Sequence, residues 1–160
     1  MINTIRYGGE GKRKNKDGTE EIFQIPPQFV LNQMGAFLEV TITHPKIVSE
    51  EFQKKGQNTP SKKVRAMIDT GAFSSVITPQ VAKELQLIHT GYQKVSSVQD
   101  EQDRPVYYGF ILFPWGAGKE IPLIACPLKG HGFECLIGRD ILIHWHFTYN
   151  GPDGSITICD

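Results

Sequence analysis

The stretch from Val64 to Thr78, VRAMIDTGAFSSVIT, limits the possible folds of this chain more than any other. An apolar run (Val64, Ala66, Met67, Ile68) carries a single carboxylate, Asp69, to a corner where Thr70, Gly71 and Ala72 follow at once; a second apolar run, Val76-Ile77, then leaves. The pattern spells strand, tight turn and strand, with an acid at the corner. Backbone N–H groups can point at the oxygens of an Asp so placed, and Gly lets another backbone approach closely. Asp and Gly also serve ordinary β-turns. Context separates the two readings: the small Ala72, the hydroxyls of Ser74 and Ser75, and a second motif at Cys135–Leu142, CLIGRDIL. There an apolar pair and a Gly precede a charged pair that opens a short apolar helix.

Together these motifs resemble the retropepsin-like aspartic proteases, the single-domain family of the retroviral proteases and their cellular and bacterial relatives. The likeness runs from about Ala36 to Ile158. Asp69-Thr70-Gly71-Ala72 matches the family's catalytic loop, and Leu136-Ile137-Gly138-Arg139-Asp140 its apolar-apolar-Gly motif. The resemblance implies an all-β, mainly antiparallel, closed barrel-like acid protease fold with two short helices, a single lobe that functions as a homodimer. It makes Asp69, Thr70 and Gly71 catalytic, with Thr70 bonding across the two-fold axis and the Gly71 amide helping to hold the carboxylates. Ala72 and Phe73 begin the substrate-contacting strand. The segment from Val95 to Gln102 is similar to the family's flap, so Val95, Ser96, Ser97, Val98 and Gln99 are expected to touch substrate, while Ile137, Gly138, Arg139 and Asp140 are structural. The implied partners are a second copy of the chain and a peptide or protein substrate, with no metal and no organic cofactor.

Two features depart from the family's pattern. Retroviral flaps are Gly-rich at the tip, whereas Gln99 to Asp103 is acidic and has no Gly. Retroviral enzymes also commonly place an acid at the position of Phe73, paired with the Arg of the second motif, so Arg139 must find another partner here. A second reading therefore stands beside the endopeptidase: the same fold used as a dimerisation or peptide-binding module with little turnover. A third is a structural β-protein in which the motif is coincidental.

The chemistry of the leading reading constrains the assembly. Peptide hydrolysis by this route needs two carboxyl groups sharing one proton, the ionised one activating water and the neutral one donating to the scissile carbonyl. This chain contains one Asp-Thr-Gly and no second Asp-Thr/Ser-Gly. The second acid must then come from a second copy, in a C2 arrangement.

Elsewhere the chain reads as one domain of 160 residues, with residues 1–21 a flexible tail or exposed hairpin and 22–160 the protease-like domain. The 17 Lys plus Arg balance the 17 Asp plus Glu, so no overall field favours nucleic acid or an anionic membrane. The basic run Lys12 to Lys16 is followed by Glu20 and Glu21 and reads as a solvated segment. No apolar run reaches the roughly 20 residues of a membrane span, and the N-terminus has no apolar signal region, which predicts a cytoplasmic protein. Three scattered cysteines fit free thiols in a reducing compartment. His144 and His146 alternate but make too few ligands for a metal.

Pro26-Pro27 followed by Phe29-Val30-Leu31 predicts an edge strand. Phe37 to Thr43 alternates as a half-buried strand, and the polar segment from Pro45 to Lys63 predicts a surface loop. Thr78-Pro79 marks a helix start, running to about Leu87. Strands are expected at 92–98, 106–113 and 121–128, a helix from Gly138 to about Trp145, and a terminal hairpin of 147–149 with 155–158 around a turn-rich loop.

Overall fold

The computed structural model describes residues 1–96, 101–128 and 132–160. In chain order the elements are β1 (Ile2–Arg6), β2 (Gly9–Lys14), β3 (Glu20–Ile25), α1 (Pro27–Met34), β4 (Phe37–Thr43), α2 (Lys46–Lys54), β5 (Ser61–Ile68) and β6 (Val76–Ile77). Then follow α3 (Pro79–Glu84), β7 (Ile88–Ser96), β8 (Glu101–Leu112), β9 (Gly118–Ala125), β10 (Cys135–Ile137), α4 (Arg139–Leu142), β11 (His146–Asn150) and β12 (Ser155–Cys159). The protein is mostly β, as expected, but carries four helices among the described residues rather than two. It divides into two compact units, residues 1–36 with 144–160, and residues 37–143.

In the first unit β12 is the middle strand of an antiparallel trio, β1-β12-β11. Ile156 and Ile158, two apart on β12, share one face and are fully buried. Gly154 turns the chain into β12 at a φ of +66°; a Cβ there would lie 2.1 Å from the backbone of Pro27. β2 and β3 form a separate exposed hairpin in which the basic run meets its acids across the ladder, Lys12 with Glu20 and Arg13 with Glu21. The edge strand expected after Pro26-Pro27 is instead the helix α1. Pro27 occupies its first position, where a fixed φ favours the helix and the missing N–H costs nothing, and Leu31 is the residue it buries.

The second unit holds a seven-stranded sheet in the order β4-β5-β10-β6-β9-β8-β7, with β4 also pairing with β8. Its core is apolar and branched: Leu38, Val40 and Ile42 of β4, Val64 and Ala66 of β5, then Ile77, Ile111, Leu123 and Ile137 are buried. α3 starts where Thr78 predicts, its Oγ accepting from Val81 N at 3.4 Å. It seals the sheet with Val81, Ala82 and Leu85 and ends at Glu84, short of the expected Leu87. The expected loop at 45–63 contains α2. Pro45 caps it and Val48 and Phe52 fall one turn apart, and the Phe52 ring packs 5.4 Å from that of buried His44. α4 is one turn long and stops at Leu142; the helix expected to reach Trp145 gives way to β11.

The order of strands around β10 shapes everything that follows. β5 and β6 flank the Asp69 corner and are separated by only seven residues, 69–75, yet they do not pair. β10 lies between them, parallel to β5 (Ala66 opposite Cys135) and antiparallel to β6 (Ile77 opposite Cys135). The corner is thus forced outward as a loop around the end of β10.

Candidate active site

Asp69 extends the β5–β10 ladder by one rung, its N–H donating to Ile137 O at 2.9 Å. The chain then folds back so that Gly71 N and Ala72 N donate to Asp69 Oδ1 at 2.8 and 3.2 Å. One carboxylate oxygen is held by its own loop, and among the described residues no donor reaches the other, Oδ2. A Cβ at Gly71 would sit 3.1 Å from Oδ1, tighter than nearly all real Cβ contacts. Asp69 is half-buried, and Thr70 and Gly71 are exposed at the tip.

The second motif clasps this loop from below. Arg139 N donates to Ala72 O at 3.0 Å. Gly138 presses against the chain at Ser74 and Ser75 so closely that a Cβ would lie 2.5 Å from Ser74 C. Ser75, fully buried, is the hub. Its N–H donates to Asp140 Oδ2 and its Oγ–H to Asp140 Oδ1, both at 2.8 Å, while its Oγ accepts from Gly138 N at 3.1 Å. Ile141 N adds a third donor to Asp140, at Oδ1. A buried hydroxyl with every bond made rigidifies what it joins. Ser75 is a residue that the sequence flagged only as a neighbouring hydroxyl; its burial depends on a motif 65 positions away.

A cleft of about 450 Å³ opens beside the loop, lined by Gly71, Ala72, Phe73, Ser74 and Val76 on one side, Gln93, Lys94 and Val95 of β7 on the other, with Ile124 and Arg139. It brings together Gly71 of the Asp69 loop, the two residues expected to begin the substrate strand, and the base of the expected flap. Ser96 ends β7, and Ser97, Val98 and Gln99 lie outside the described residues. Gln93 and Lys94, which directly precede the expected flap residues, were not anticipated. A hollow of about 510 Å³ in the first unit is lined by Pro26, Gln28, Phe29, Asn32, Tyr149 and Gly151; it takes no residue from the Asp69 loop, whereas the cleft takes Gly71 and Ala72, whose N–H groups hold Asp69.

Arg139 has found its partner. Its guanidinium carbon sits 5.9 Å from the centre of the Phe73 ring, so an aromatic face takes the place of the acid that retroviral enzymes put there. Such a contact is worth about 0.5–1 kcal/mol at an exposed site. Among the described residues no three His, Cys, Asp or Glu side chains gather as a metal site, and no helix is long and apolar enough to cross a membrane.

Residues 56–109, the span holding Asp69 and its loop, match the family model described as aspartyl protease. That match agrees with the resemblance to aspartic proteases carried by the two motifs. Among solved structures the chain is similar to the simian foamy virus (mac) protease in solution, at 18% identity and a TM-score of 0.42, over 68% of this chain and 92% of that one. No curated protein matches the chain.

Proposed function

We propose that the protease cuts peptide bonds with a dyad of two Asp69 side chains, one from each of two copies of the chain related by a two-fold axis. The observation that carries this is the half-satisfied carboxylate: Oδ1 is fixed by Gly71 and Ala72 N–H groups while Oδ2 has no donor among the described residues. Two carboxyls about 3 Å apart cannot both be ionised cheaply, so a pair of such loops shares one proton and titrates as a unit. The ionised member takes a proton from water as that water attacks the scissile carbonyl, and the neutral member donates to the carbonyl oxygen. In this reading Thr70, exposed on the single chain, bonds with its counterpart across the axis. Ala72, Phe73 and Val95 line the path of the peptide, and β7 with β8 forms the flap arm. The β4–β8 pairing, which brings six strands of the larger sheet back on themselves, supports a closed barrel-like lobe.

The test is a cleavage-site profile of an extended peptide library with wild type and Asp69→Asn side by side, together with sedimentation. Cleavage by the wild type alone, from a two-chain species, is expected. Cleavage that survives in Asp69→Asn, or activity confined to the monomer, overturns the dyad. An inhibitor carrying a hydroxyl where the scissile carbonyl would be should also bind, because it mimics the tetrahedral state.

A further inference from the structure

The guanidinium of Arg139 has an unusual combination of anchoring and vacancy. Its backbone is fixed to the catalytic loop by the bond to Ala72 O, and its neighbour Asp140 turns away to serve Ser75. Among the described residues no carboxylate lies within 4 Å of it, and Phe73 supports it from one side. A ring face takes none of the five N–H donors of an Arg. An exposed Arg is ordinarily just solvated; this one is held at the wall of the cleft that contains Gly71 and Phe73. Lys94 brings a second positive charge to the same cleft, shared with Glu101 at 3.6 Å, and no Asp or Glu is among the residues lining it.

We propose that Arg139, steadied on Phe73, receives the carboxylate of an acidic side chain in the peptide, so that the protease prefers substrates with Glu or Asp near the cut. This rests on the reading of the cleft as the peptide-binding site. A planar fork already parked on a ring loses less freedom on pairing with a carboxylate than a free side chain would. Because the pair stays partly in water, it contributes modestly, a preference of about fivefold.

The experiment compares kcat/KM for extended peptide libraries that differ only in Glu against Gln at each position in turn, with wild type, Arg139→Met and Arg139→Lys. At one position Glu should win by about fivefold with wild type, fall to parity with Arg139→Met, and be only partly restored by Arg139→Lys, which lacks the fork. The enzyme's own acid dependence cancels in the ratio. It should therefore shrink towards one as pH falls below about 4, where the Glu side chain protonates, and shrink with added salt. Parity at every position in wild type overturns the proposal, as does a preference that survives Arg139→Met. So does dissociation of the two chains in Arg139→Met, which would assign the guanidinium to an interface. Binding of the same libraries to Asp69→Asn separates the two claims: a Glu preference in binding without any cleavage by wild type keeps the acidic-residue proposal and removes the hydrolytic one. No binding and no cleavage removes both.

Discussion

Asp69 and Asp140 are two carboxylates attached to the same loop, and they are treated in opposite ways. Asp140 accepts at both oxygens, from Ser75 N, Ser75 Oγ and Ile141 N. Asp69 accepts at one oxygen from two amides, and among the described residues no donor reaches the other. An acid bonded at both oxygens locks structure, and an acid with one oxygen left over can do chemistry. The lesson lies in the division of labour: one acid is spent on tying the loop to the second motif, and the other keeps an oxygen that no donor among the described residues reaches.

The largest expected effect is on the working member. Asp69→Asn keeps the shape of the side chain and should lower kcat/KM by about a thousandfold or more, with a melting temperature close to that of wild type. The reverse is expected of its counterpart. Asp140→Ala leaves Ser75 N–H and Oγ buried without an acceptor, at a cost of about 3 kcal/mol, or roughly 6–12 °C in melting temperature by calorimetry. Activity should fall only as far as the loop loosens. If Asp140→Ala were stable but inactive, or Asp69→Asn unstable, the contrast between the two acids would collapse.

Gly138→Ala attacks the clasp without touching either acid. Its Cβ would collide with backbone rather than with a yielding side chain, and about 2 kcal/mol of destabilisation is expected in urea unfolding. A pH experiment sharpens the picture further. Burial pushes the Cys135 thiol, beside Ala66 and Ile77 on β10, up to about 12, with the nearby Asp140 charge adding to the effect. The unfolded chain releases that proton near pH 9 while the folded one keeps it. Stability should therefore decline as pH rises from about 9 towards 12, by at most about 1.4 kcal/mol per pH unit from this group. Cys135→Ala should flatten that decline in denaturant titrations across the same range. The smallest effect belongs to Phe73→Ala, which removes the ring under Arg139 and should cost under about 1 kcal/mol in stability.

Much of this was legible in the residues because it was local. The alternation of Phe37–Thr43, the Thr78-Pro79 start of α3, the Asn150–Gly154 turn and the Asp69 corner each declare themselves within a few positions. α1 and α2 did not: Pro26-Pro27 breaks strands and begins helices equally well, and a polar composition at 46–54 hid the one-turn spacing of Val48 and Phe52. The meeting of Arg139 with Phe73 and of Asp140 with Ser75 joins points 65 or 66 residues apart, and no pattern of neighbours encodes it. The insertion of β10 between β5 and β6 was equally invisible, since a strand of three residues has almost no period to detect.

That insertion has a consequence for timing. A growing chain carries Asp69 long before it carries the strand that must slide in beside it, and closing so wide a loop is slow compared with forming a hairpin. Until Cys135–Ile137 arrives the Asp69 N–H lacks the Ile137 carbonyl that extends its ladder, so the corner is anchored only once most of the chain is present.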